Sequence, residues 1–162
     1  MKNISAVVQD LAVSQKSFYL IKEFNKCLND TDISTSVFVE RPAIPPIPPH
    51  FSCKNISFLS GYHGIVIATT IEGADKILKA CNASSKYLYL WDMEWLETPL
   101  FFETAMRILR DDRLKIIARS QSHAELIQNF CNKSPVGIVS DWNIRELLAI
   151  DGHQINTEEQ DI

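Results

Sequence analysis

No stretch of this 162-residue chain is both long enough and apolar enough to cross a bilayer. The longest apolar runs, such as Gly64 to Ala68, have the length of a strand and fall far below the roughly 20 residues that a spanning helix requires. The N-terminus lacks the basic region followed by an apolar stretch that marks a secretory signal, so a cytoplasmic protein with no membrane span is expected. A basic stripe is missing as well. Lys and Arg number 16 against 20 Asp and Glu, the net charge is -4, and the basic residues are scattered, which disfavours nucleic acid as a partner.

Cysteine patterns that would signal chemistry are also absent. Cys27, Cys53, Cys81 and Cys131 are widely spaced, with no C-x-x-C pair and no His at zinc-ligand spacing. Reduced thiols are expected, three of them filling core near helix ends, and no metal site. The phosphate-binding loops of the commonest α/β proteins are missing too. The first strand-to-helix turn reads Asp10-Leu11-Ala12-Val13-Ser14, without G-x-G-x-x-G, and no G-x-x-x-x-G-K-[ST] occurs. No cofactor is therefore predicted. G-x-S-x-G and H-E-x-x-H are likewise absent, which removes the usual grounds for a hydrolase or metalloprotease.

What remains is an ordinary globular composition, 46% hydrophobic and 22% charged. The length suits one core that buries about 70% of the unfolded surface. One domain over 1–150 is expected, with the polar, acidic segment 151–162 as a tail or linker stub. Hydrophobic spacing predicts strands at Ile4–Val8, Thr35–Val39, Ile56–Leu59, Ile65–Ala68, Tyr87–Trp91, Leu114–Ala118 and Val136–Val139. Helices are expected from Ser14, with Phe18, Ile21, Phe24 and Leu28 as the buried stripe, from Thr69 to about Cys81, from Thr98-Pro99 to Arg110, from Ser122 to near Asn132, and from Asp141 or Asn143 through Leu148. Thr69 with Glu72 and Ser122 with Glu125 read as capping boxes. Strands alternating with helices of this length give an α/β fold: a single Rossmann-like domain with a mostly parallel sheet of six or seven strands and helices on both faces.

In such a fold ligands bind beyond the carboxyl ends of the strands. The segment Trp91-Asp92-Met93-Glu94-Trp95 ends an apolar strand with two carboxylates between two indoles, a chemically sensible way to hold a sugar. The competing reading places both indoles in the core and leaves Asp92 capping a turn. Ser120-Gln121-Ser122 and Ser140-Asp141-Trp142-Asn143 also lie where strands give way to helices, although helix caps need the same residue types. His123 falls in the first turn of a helix at that edge, whereas His63 precedes a strand and belongs at the opposite edge. The proline loop Arg41 to Pro49 reads as a stiff rim element in preference to a polyproline docking motif.

Gly64 to Thr70, Tyr87 to Asp92 with Glu94, Ile116 to Leu126 and Ser134 to Asn143 together resemble the later part of the N-terminal domain of GT-B glycosyltransferases, over roughly Tyr62 to Glu146. The early glycine-rich loop of that family and its C-terminal, nucleotide-sugar-binding domain have no counterpart in this sequence. The resemblance implies an acceptor-side half, binding a glycan or other sugar acceptor through Asp92, Glu94, Trp95, Ser120, Gln121 and Asp141. Catalysis would then need a partner chain carrying the nucleotide-sugar domain. The alternative expectation is a noncatalytic interaction module or homodimer using the fold as a scaffold.

Overall fold

In the structure, a computed structural model describing residues 2–93, 96 and 99–158, seven strands form one wholly parallel sheet. They are β1 (Lys2–Val8), β2 (Ile33–Val39), β3 (Ser52–Asn55), β4 (Ile65–Ala68), β5 (Ser85–Tyr89), β6 (Lys115–Ala118) and β7 (Gly137–Ile138). Their spatial order is β3-β2-β1-β4-β5-β6-β7, which reverses direction between β1 and β4 and makes the domain Rossmann-like. The α-helices among the described residues are α1 (Gln15–Lys26), α2 (Ile71–Ala80), α3 (Phe102–Leu109), α4 (Gln121–Cys131) and α5 (Ile144–Glu158).

Two cores follow from the period-2 geometry of a strand covered on both sides. Along the β5 segment, Tyr87, Tyr89 and Trp91 join α1 and α5 on one face, whereas Leu88 and Leu90 join α2, α3 and α4 on the other. The strand expected at Tyr87–Trp91 is thus interior, but it runs Ser85–Tyr89, and Leu90 and Trp91 lie just beyond its end.

Several elements differ from expectation for identifiable reasons. Ile56–Leu59 was expected as a strand, but Ile56–Gly61 is a 3-10 helix, started by Asn55 accepting from the Ser57 N–H, and the edge strand is the polar segment before it. A fully exposed edge strand such as β3 has no apolar pattern to betray it. The capping assignments move too. Thr70 Oγ1 caps α2 by accepting from Gly73 N at 3.0 Å, while Thr69 is buried and donates to Val7 O. Ser120 caps α4 by accepting from His123 N at 3.2 Å, leaving Ser122 inside the first turn. In α1 the buried face is Ser17, Leu20, Ile21 and Phe24 and Phe18 is exposed, while Leu28 falls beyond α1, exposed in a 3-10 turn.

At the other end of the chain, α5 continues past Leu148 to Glu158, so most of the expected polar tail is helical. The Tyr87 hydroxyl donates to Asp151 Oδ1 at 2.8 Å, tying that helix to β5. The proline loop is pinned to α1: Asn25 Nδ2 donates to Pro48 O at 2.9 Å and Asn25 Oδ1 accepts from His50 N at 2.7 Å. Cys27, Cys81 and Cys131 are buried free thiols, and burial pushes each one up from its ordinary pKa. No helix among the described residues is long and apolar enough to cross a membrane.

Candidate functional site at the carboxyl edge

The loops beyond the strand ends differ in character across the sheet. At the reversal point between β1 and β4, the chain ties its own loops together. Gln9 O accepts from the Glu40 and Arg41 N–H groups, Asp10 pairs with Arg41 at 2.8 Å, and Lys76 bridges Glu40 and Glu72. The Asp10 carboxyl is held below its usual range by the Ala12 N–H and by Arg41. With no glycine to bring a backbone close to a pyrophosphate, this turn is built for loop packing.

Beyond β5, β6 and β7 the edge is open. An exposed cavity of about 420 Å³ is lined by Trp91, Arg119, Ser120, Ser122, His123, Leu126, Ser140 and Asp141. Each group arrives there for a local reason. Arg119 follows directly on β6 and Ser120 is the N-cap of α4, so Ser122 and His123 fall in the first helical turn. Ser140 and Asp141 belong to the turn between β7 and α5.

Arg119 organises the crevice. Its guanidinium lies over the Trp91 ring, with Cζ 3.7 Å from the ring centre, and Nη1 donates to Trp91 O at 3.4 Å. No ion pair forms between Arg119 and a carboxylate among the described residues. His123 Nδ1 accepts from the Arg119 N–H at 3.4 Å. That contact puts the proton of a neutral imidazole on Nε2, making the free ring nitrogen a donor. Burial, then the Arg119 charge, lower the His123 pKa, and Asp92 opposes them. Asp92 is exposed and close enough to act on that imidazole.

The floor of the site is an aromatic chain. Tyr19 lies 6.3 Å from Trp91, Trp91 meets Tyr89 edge-on at 5.7 Å, and Tyr89 meets Trp142 edge-on at 4.9 Å. Trp142 is fully buried and meets Phe24 at 6.0 Å, and its indole N–H has no hydrogen-bond partner among the described residues. The backbone there is unusual: Asp141 and Trp142 both have positive φ, 46° and 64°, and the Asn143 N–H closes the turn on Ser140 O. Asp tolerates this region, but a bulky indole does not adopt it freely. The Tyr89 hydroxyl holds the turn by donating to Val139 O at 2.6 Å and accepting from the Trp142 N–H, and burial pushes its pKa up to about 12.

Of the residues expected at the site, Ser120 and Asp141 line this cavity, and Asp92, which does not line it, lies close enough to His123 to act on its charge. Gln121 faces away: it donates to Glu125 Oε1 at 3.1 Å and lines a separate hollow beside β7 with Ala124, Gln128 and Ile138. Glu94 and Trp95 lie outside the described residues. Trp91 is only 7% exposed and its face is covered by Arg119, so it offers no free surface for a sugar ring to stack on. Arg119 was not expected as a site residue; its one sequence signal is its position between the last strand residue and a helix cap. Among the described residues no cluster of His, Cys, Asp or Glu is arranged to hold a metal ion. No family model, curated protein or solved structure matches the chain.

Proposed function

We propose that this protein binds a hydroxyl-rich acceptor, a sugar or glycan, in the carboxyl-edge crevice, as the acceptor-side half of a GT-B-like glycosyltransferase. The observation that carries this reading is the convergence on one open cavity of unlike polar groups from the ends of β6 and β7, beside Trp91 from the end of β5. Arg119, Ser120, Ser122 and His123 can donate and Asp141 can accept, while Asp92 stands beside the cavity, close enough to act on His123. A sugar presents hydroxyls that both give and receive hydrogen bonds, and alternating donors and acceptors suit it better than a single-sign pocket would. The loops at the strand-order reversal are committed to each other, so a nucleotide-sugar donor is assigned to a partner chain. The chain alone then binds acceptor without transferring sugar.

Titrating the protein with a glycan panel while following tryptophan emission tests the proposal, since Trp91 lies in the wall of the crevice. At least one glycan should give a saturable change. Silence across the panel, or tight binding of a nucleotide-sugar to the chain by itself, would contradict it.

A second reading, a homodimeric scaffold without catalysis, draws on the two-residue edge strand β7, where Ile138 and the preceding Val136 are exposed. Short edges and small apolar patches are ordinary in monomers, and this makes it the weaker alternative. Sedimentation of a stable dimer whose formation shields Ile138 would favour it.

A further inference from the structure

The crevice is not isolated. A second cavity, of about 540 Å³, runs between α1 and the start of α5 and is walled by Tyr19, Lys22 and Lys26 on one side and Asn143 and Arg145 on the other. Ser140 and Asp141 line both cavities, so the strained turn is a shared wall. Tyr19 of the second cavity also packs beside Trp91 of the first, at 6.3 Å between ring centres. The two hollows thus adjoin at two points, through the turn and through the aromatic pair. Each falls in the size range of a small-molecule site on its own.

The lining of the second cavity is polar and of mixed sign. Lys26 pairs with Glu23, Lys22 sits 5.9 Å from the centre of the Tyr19 ring, and Asp30 and Arg145 add one charge of each sign. Such a surface does not select one strongly charged group. It offers many hydrogen-bonding positions at intervals, along with an aromatic side chain, as a neutral chain of hydroxylated units requires.

We infer that the acceptor is an oligosaccharide long enough to occupy both cavities, with the Ser140–Asp141 turn touching it at the junction. This rests on the glycan reading of the crevice and adds to it a length requirement and a second set of contacts. The crevice takes one end of the chain. The groove between α1 and α5 takes the units beyond.

The test uses the full chain with glucose, N-acetylglucosamine, galactose and mannose, each as the mono-, di- and tetrasaccharide, with affinities from calorimetry. For the sugar that binds, the tetrasaccharide should bind at least about tenfold more tightly than the monosaccharide. Arg145→Ala together with Lys22→Ala should remove most of that gain and leave monosaccharide affinity unchanged, while Arg119→Ala weakens both. Both substituted groove residues are surface groups, and circular dichroism would verify that the variant folds. Equal affinity for one and four units, or a tetrasaccharide affinity indifferent to the groove substitutions, overturns the length requirement while the crevice reading stands. Failure of every sugar at every length overturns both.

Discussion

The Arg119 guanidinium stacks on Trp91 at 3.7 Å, and this contact decides what the crevice can offer a ligand. It withdraws the indole face and puts a half-buried cation in its place, whose Nη1 donates to Trp91 O. The expected aromatic platform thus becomes a donor platform. Replacing Arg119 with Ala should weaken glycan binding by about tenfold or more, and Lys should not rescue it, because an ammonium cannot keep the planar stack. Trp91 should become more exposed and its emission shift to the red. Unchanged affinity with a red-shifted spectrum would show that the stack is only structural.

His123 links the same cluster to pH. Its folded-state pKa is lowered, chiefly by burial and then by Arg119, so the folded protein resists protonating it. Above the ordinary value of 6.5 both folded and unfolded chains carry it neutral, and it contributes no pH dependence. As pH falls past 6.5 the unfolded chain takes up a proton first, so stability drops, and the loss is complete once pH lies below the folded-state pKa. His123→Gln should flatten this part of the stability profile, measured by urea unfolding at a series of pH values. A profile indifferent to the substitution would mean that the imidazole protonates as easily folded as unfolded.

The fold was largely readable, because it rests on signals that repeat. Interior strands announce themselves by apolar runs, as at Ile65–Ala68 and Tyr87–Trp91, and helices by their caps and spacing. The readings that failed involve elements with no such signal. Strand β3 is exposed throughout, so its residues need not be apolar, and the neighbouring Ile56–Leu59 run took its place. The capping boxes with Glu72 and Glu125 pointed to Thr69 and Ser122, but the extended N-cap backbone falls at Thr70 and Ser120. The site was half legible for the same reason. That Asp92, Ser120 and Asp141 share an edge follows from topology, but which way a side chain turns at a strand end does not, as Gln121 facing away and Arg119 folding onto Trp91 demonstrate.

The turn at Asp141 and Trp142 separates stability from binding. A non-glycine residue in the left-handed region costs about 1–2 kcal/mol, and glycine gives back about 0.5–1 kcal/mol of that through its greater freedom when unfolded. Asp141→Gly, at φ 46°, should therefore leave thermal stability unchanged or slightly raised while lowering glycan affinity. Tyr89→Phe should do the opposite. It strips the Val139 carbonyl and the Trp142 N–H of their buried partner, at a cost of about 1–3 kcal/mol in chemical denaturation. If Asp141→Gly weakened the fold as much as Tyr89→Phe, the Asp141 side chain would be holding the turn and not serving a ligand.

Asp92 gives the sharpest separation of a binding role from a structural one. It is exposed, stands beyond the end of β5, and lies near enough to His123 to raise that imidazole's pKa against burial and Arg119. A carboxylate in this position accepts from a sugar hydroxyl on two oxygens, whereas an amide offers one acceptor and imposes a donor where none is wanted. Asp92→Asn should weaken glycan binding by about 1–3 kcal/mol, the range for a hydrogen bond to a charged group left mismatched. The melting temperature should scarcely move, because an exposed Asn caps a turn nearly as well as Asp. The same substitution removes the charge that favours the imidazolium, so the His123 pKa, followed by its ring-proton NMR shift, should fall further. A lowered melting temperature with unaltered glycan affinity would assign Asp92 to the turn alone and leave Asp141 as the only carboxylate serving the crevice.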